Sequence, residues 1–111
     1  MQTFDLKTAN IEAHKPEILQ SAEGEGRAIA IHLPAGEQLQ EHEVHERAYL
    51  VVIDGTVELT RPEGDGATAG PGTLAVFDPH ERHEVSATED ARLLLILAPW
   101  PGKGHPGARD E

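Results

Sequence analysis

The sequence predicts an all-β fold, a closed or double-sheet β-barrel, from three observations. Eleven glycines and 8 prolines punctuate the 111 residues at short intervals. The segments between them are short and rich in Val, Leu and Ile, and turn signals spaced by roughly 8–12 residues are typical of sandwiches and barrels. Beyond the N-terminal third, no window keeps the helical period of roughly 3.6 residues across three turns.

The order of elements follows from these turn signals. Residues 1–25 are predicted to form an N-terminal arm with short edge strands at 4–6 and 16–21, and residues 26–98 the barrel. Barrel strands are predicted at residues 27–33, 37–42, 47–53, 56–60, 73–77, 83–87 and 92–98. Asp54-Gly55 indicates a tight hairpin turn, because Gly adopts the required positive φ without strain. Residues 62–72 are predicted to be a loop, with or without a short pairing segment, and the Pro- and Gly-rich residues 99–111 a tail outside the sheets.

Charge and composition exclude several classes of function. Nine basic against 20 acidic residues give a net charge of −11, which repels nucleic acids and anionic membranes. The absence of Cys excludes disulfides and thiol nucleophiles. The N-terminus lacks the basic and apolar regions of a secretory signal, and the most apolar run, residues 93–98, is far shorter than the roughly 20 residues of a membrane helix. We therefore expect a soluble, cytoplasmic protein whose partner is a small molecule.

Four of the seven histidines form two close pairs, each beside a predicted strand end. The pairs are His42 with His45 and His80 with His83. Histidine is the commonest metal ligand, and several imidazoles with a carboxylate suit Fe, Mn, Ni, Cu or Zn. The alternative is that these histidines are solvated or cap turns.

The spacing of glycines and histidines forms two motifs. In the first, five residues separate Gly36 from His42 and the motif closes at Gly55; the second runs from Gly72 to His83. Sixteen residues separate Gly55 from Gly72. Over about residues 27–98 this pattern resembles the small single-domain proteins of the cupin superfamily. The resemblance implies a double-stranded β-helix, the cupin jelly-roll barrel, and a mononuclear metal site of three His and one Glu.

The sequence departs from the family's ligand pattern. His42 and His83 fall on ligand positions, whereas Val44 and Ala48 stand where the family has a second His and the Glu. A remodelled site is possible from His42, His45 and His83, with His80 or Glu46 as a fourth group. Residues three apart on a strand point to opposite faces, so this site needs a bend or bulge after His42.

The barrel interior is the predicted substrate pocket. Its expected lining, with Trp100 at the barrel opening, is Tyr49, Leu50, Val52, Val76 and Val85. The first hypothesis is a metal-dependent cupin that acts on a small molecule, with the reaction left open. The second is a metal-free binding or sensor module, and the third a structural domain whose barrel is filled by side chains. Arg47 and Arg82 are interpreted as surface ion-pair residues rather than a clamp for a substrate carboxylate. A homodimer through the arm is expected because its strand edges are exposed.

Overall fold

The described part of the chain forms nine β-strands. The computed structural model describes residues 1–42, 45–62 and 64–99, apart from the side chains of residues 40–42. The strands are β1 (Glu17–Ala22), β2 (Gly26–Leu33), β3 (Gln38–His42), β4 (Arg47–Asp54), β5 (Val57–Thr60), β6 (Gly66–Ala69), β7 (Leu74–Phe77), β8 (His83–Ala87) and β9 (Ala91–Ala98). Among the described residues, no helix has the length and apolar character needed to cross a membrane.

The strands form two sheets in which every pairing is antiparallel. One sheet has five strands in the order β1-β2-β9-β4-β7, and the other has four in the order β3-β8-β5-β6. Neighbouring strands are often distant in the chain, as in a jelly roll. The all-β prediction is therefore confirmed, and the predicted strands of the barrel are all present.

The core lies between the inner faces of the two sheets. On β4, Ala48, Leu50 and Val52 are buried, while the residues between them are only half-buried. Leu93 on β9 and Val85 on β8 meet them from the neighbouring strand and the opposite sheet, and both are at most 2% exposed. Because successive side chains on a strand alternate between faces, this pattern identifies the inner face of each strand.

The outer face of the five-stranded sheet is also apolar. Val76 on β7 is 47% exposed and pairs with Tyr49 on β4, which is half-buried. The prediction that Val76 and Tyr49 line the interior is therefore wrong: the register aligns Ala75 with inward-facing Leu50, which turns Val76 and Tyr49 outward. Leu74, on the same face as Val76, is 56% exposed.

The N-terminal arm differs from its prediction at its start. Phe4 is not in a strand; the backbone turns after Asp5, whose carbonyl accepts hydrogen bonds from the N–H groups of Thr8 and Ala9. The arm contacts its own barrel, since Arg92 donates to the carbonyl oxygens of Leu6 and Ala9 at 3.0 and 2.8 Å. Within the predicted loop at residues 62–72, the short pairing segment that the prediction left open is present as the strand β6.

Candidate functional site

The predicted histidines lie at one end of the barrel, which we call the mouth. There β3 ends at His42, β4 begins at Arg47, β7 ends at Phe77 and β8 begins at His83. The rings of Phe77 and His83 stack with centroids 3.9 Å apart and planes at 9°, which joins the two sheets at this end. These positions lie together because β3 and β7 end, and β4 and β8 begin, at the same end of the barrel.

Among the imidazoles of the mouth that the structure describes, that of His83 is the most completely buried. It is 4% exposed, and its Nδ1 lies 3.1 Å from the carbonyl oxygen of Glu81. A carbonyl oxygen only accepts, so Nδ1 carries a proton and donates it, and in the neutral form of the ring the lone pair is then on Nε2. Metal-binding histidines are commonly oriented in this way by a backbone carbonyl on the other ring nitrogen.

Glu46 supplies a buried carboxylate next to the mouth. It lies in the bend immediately before β4 and is 4% exposed. Burial of a carboxylate is costly unless hydrogen bonds or a positive charge compensate for it. The backbone bends at residues 45–46, whereas residues 43–44, on which the predicted bend or bulge between His42 and His45 depends, lie outside the described residues.

The remaining histidines of the two pairs also meet at the mouth. The rings of His45 and His80 are in edge-to-face contact, with centroids 4.6 Å apart. His80 has a φ of 69° in the turn before β8, and both residues are exposed. His42 pairs with His83 across β3 and β8, although the side chain of His42 lies outside the described residues.

The described side chains do not form a complete set of metal ligands. Among them, no three His, Asp or Glu groups are close enough to hold one ion. The imidazole of His83 and the buried carboxylate of Glu46 are both groups that a divalent cation binds, and His42 is the cross-strand partner of His83. A third ligand would have to come from His42, whose side chain lies outside the described residues.

The predicted apolar lining is packed rather than open. Leu50, Val52 and Val85 point inward, as predicted, but are at most 2% exposed and belong to one continuous core cluster. Trp100 lies outside the described residues. Space for a ligand is found instead beside this packed core.

A cavity of about 300 Å³ lies at the mouth, between the edge strands of the two sheets. The β5–β6 hairpin forms one wall and Phe77 of β7 the other. Its lining is Leu59, Thr60, Arg61, Asp65, Gly66, Ala67 and Phe77. Phe77 thus contacts both the cavity and the His83 ring.

Glu81 links this cavity to His83. Its Oε2 lies 3.5 Å from Nη1 of Arg61, its Oε1 accepts the N–H of Asp78 at 2.9 Å, and its carbonyl accepts the Nδ1–H of His83. Arg61 also forms an ion pair with Asp65. One residue therefore positions a charged group of the cavity and the buried imidazole together.

Other polar groups have separate roles. Arg47 forms an ion pair with Asp78, so its interpretation as an ion-pair residue is confirmed. At the opposite end of the barrel, Nε2 of His14 lies 2.9 Å from Glu37, and that of His32 lies 3.1 Å from Asp90. These two histidines border a second cavity, of about 220 Å³.

The sequence analysis missed four residues of the mouth: Phe77, Glu81, Arg61 and Asp65. The first two carry no signal beyond their place beside a predicted strand end or histidine pair. Arg61 and Asp65 flank a short loop that contains Gly64, whose N–H donates to the carbonyl of Arg61. A charged pair across a Gly-containing loop was the available signal, but it does not identify a cavity.

Comparisons with known proteins support the fold and identify the family of the chain. Residues 30–98 match the Cupin domain family. The chain is 36% identical over 59 residues to the L-ectoine synthases of Mycobacteroides abscessus and Mycobacterium sp. (strain KMS); the match covers 52% of this chain and 45% and 46% of theirs. The chain thus spans about half the length of these relatives.

Solved structures of low sequence identity share the fold. An RmlC-like cupin from Desulfovibrio desulfuricans superposes with a TM-score of 0.78 at 20% identity, covering 89% of this chain and 97% of that one. An RmlC-like cupin from Methanocaldococcus jannaschii with a double-stranded β-helix fold gives 0.76 at 18% identity, covering 91% and 93%. With two antiparallel sheets, this likeness and a family match over residues 30–98, the chain belongs to the cupin family.

Proposed function

We propose that this protein binds a small molecule at the barrel mouth with the help of one divalent metal ion, Fe, Mn, Ni, Cu or Zn. The metal ligands would be His83, Glu46 and His42, with His45 and His80 beside them at the rim. The observation that carries the proposal is the buried His83, whose Nδ1–H is committed to the carbonyl of Glu81. When bound, the metal would polarise a substrate oxygen or activate a water molecule.

The residues around the ion would have distinct roles. Glu81 holds the His83 ring in one tautomer and orientation, and the stacked Phe77 ring limits its rotation. Phe77 also shields one face of the imidazole from water, which strengthens electrostatic interactions there. The cavity beside Phe77 would hold the small molecule.

Metal content tests this proposal. In protein purified without an affinity tag or chelator, elemental analysis should find about one metal ion per chain. The His83→Ala variant should lose the metal ion, because the substitution removes the imidazole and with it the Nε2 that would bind the ion. His14→Ala is the matched control: it removes a histidine at the opposite end, 70% exposed, and should leave the metal content unchanged.

A metal-free binding or sensor module is the second candidate. It is favoured by the edge-to-face contact of His45 with His80 and by the lack of a three-ligand group among the described side chains. In that case wild-type protein stays metal-free even after incubation with Fe, Mn, Ni, Cu and Zn. Equal metal in wild type and His83→Ala would instead contradict the proposed ligands.

We further propose that the protein forms a homodimer through the outer face of the five-stranded sheet. The apolar residues of this face are Tyr49, Val51, Ile53, Leu74, Val76, Leu94 and Ile96. A net charge of −11 repels a second copy, and these uncharged side chains form a surface where two copies can approach and bury apolar area with the least repulsion. The edge strand β7 runs along its border.

Sedimentation equilibrium tests the dimer. Leu74→Glu should convert a two-chain species to a single chain, because it buries an unpaired carboxylate in each half of the interface. Ile18→Glu, a change at a 52% exposed position on the other edge strand, should not. The reverse result, with only Ile18→Glu dissociating the dimer, would assign the interface to the N-terminal arm.

A further inference from the structure

The mouth cavity combines one cationic, one anionic and several apolar groups. Arg61 and Asp65 line it on the β5–β6 hairpin, and Leu59, Ala67 and Phe77 provide its apolar surface. The two charged side chains form an ion pair with each other, so they are only a few ångströms apart. A ligand that contacts both side chains must carry a negative and a positive charge that are as close to each other as the charges of Arg61 and Asp65 are.

The backbone of the hairpin holds this pair in place. The N–H of Arg61 donates to the carbonyl of Asp65 at 2.9 Å, which closes the loop between β5 and β6. Arg61 is held from the other side by Glu81 at 3.5 Å. The guanidinium is thus oriented before any ligand arrives, and a planar guanidinium binds a carboxylate through two parallel hydrogen bonds.

The ion pair is one that a ligand can open. The side chains of Arg61 and Asp65 are 41% and 71% exposed, and a pair so accessible to water contributes little net stability. A ligand carboxylate on Arg61 together with a ligand ammonium on Asp65 replaces one ion pair with two. A ligand with a single charge gains one pair and leaves the other protein charge without its former partner.

We propose that the mouth cavity selects a small zwitterion of the α-amino acid type, with its carboxylate on Arg61, its ammonium on Asp65 and a short apolar side chain against Leu59, Ala67 and Phe77. The volume of about 300 Å³ holds roughly ten non-hydrogen atoms. Adjacent carbons carry the two charges of an α-amino acid, which matches the close pair on the hairpin. This inference rests on the proposed function only in taking the mouth as the ligand site.

Calorimetric titration with three matched probes tests the charge preference. L-norvaline carries both charges, pentanoate lacks the ammonium, and 1-aminobutane lacks the carboxylate. Wild-type protein should bind L-norvaline at least about tenfold more tightly than either analogue, since each lost charge-assisted contact costs about that factor. Equal affinity for the three probes, or no saturable heat with L-norvaline, would overturn the proposal.

Two variants assign the charges to their residues. Asp65→Asn should weaken L-norvaline about tenfold while pentanoate binds as well as before or more tightly, because the carboxylate of Asp65 then no longer competes for Arg61. Arg61→Gln should weaken L-norvaline and pentanoate but not 1-aminobutane. Glu58→Gln is the control. Glu58 lies on the same hairpin, but its carboxylate accepts a hydrogen bond from Thr68 and does not line the cavity. Unchanged L-norvaline affinity in both variants contradicts the assignment.

The same titrations separate this inference from the metal proposal. Each is run on protein as purified and after treatment with a chelator. The contacts of Arg61 and Asp65 do not involve a metal, so the preference for L-norvaline should persist in both samples. Charge selection in metal-free protein supports the cavity without the metal site, and metal binding without charge selection supports the metal site alone.

Discussion

Gly55→Ala should abolish or nearly abolish folding of the domain. Gly55 has a φ of 79°, and an alanine Cβ there would lie 2.1 Å from the carbonyl oxygen of Asp90 and 2.7 Å from Cα of Ala91. Both atoms belong to backbone, so no side-chain rotation relieves the overlap. The expected loss exceeds about 4 kcal/mol, a large part of the roughly 5–15 kcal/mol that stabilises a domain. Thermal unfolding by circular dichroism should show a Tm lower by about 20 °C or more, or no cooperative transition.

Gly36→Ala is the matched control for this experiment. Its φ is 86°, so alanine meets the same left-handed strain, but no atom lies within 4 Å of the added Cβ. The expected cost is only the conformational one, about 1–2 kcal/mol. Similar losses in the two variants would mean that strain in the turn, rather than the approach of Asp90, governs the effect at Gly55.

The pair of glycines illustrates how far the sequence predicts the fold. Asp54-Gly55 predicts a turn that needs positive φ, and Gly36 and Gly72, the other glycines that bound the two motifs, also have positive φ, 86° and 90°. These are local properties of the chain. The contact of Gly55 with Asp90 depends on the connection between β8 and β9, which packs against the β4–β5 turn from elsewhere in the sequence. No local pattern reports such a contact.

The position of the candidate site could be predicted from the sequence, but several of the residues that form it could not. Strand ends and spacing bring His83 to the same end of the barrel as His45 and His80; there His83 stacks on Phe77, and His45 contacts His80. The face of each strand depends on register, and a shift of one residue exchanges the inner and outer sets. In β7 the sequence TLAVF is apolar at alternate positions of both sets, so either set can face the core. The register pairs Ala75 with Leu50, and Phe77 rather than Val76 therefore faces inward.

Leu93→Ala should cost about 2–5 kcal/mol, because it removes a large side chain that is 1% exposed and leaves a cavity. On the inner face of the sheet, Leu93 lies between Ile31 of β2 and Val52 of β4, and both of these residues are buried. Ile18→Ala is the control: Ile18 is 52% exposed on the edge strand β1 and should cost about 1 kcal/mol or less. Urea unfolding monitored by circular dichroism measures both, and equal losses would show that Leu93 is no better packed than an exposed side chain.

The same variant decides where a ligand binds. If the barrel interior is a packed core, Leu93→Ala reduces stability but leaves the affinity for L-norvaline and the metal content unchanged at temperatures where the protein is folded. If the interior is the substrate pocket, the added space alters ligand affinity directly. The burial of Leu93, Val52, Val57 and Val85 below 2% favours the first result. The proposed ligand site is therefore the mouth, where Phe77 ends the packed core and separates it from the charged groups of the β5–β6 hairpin.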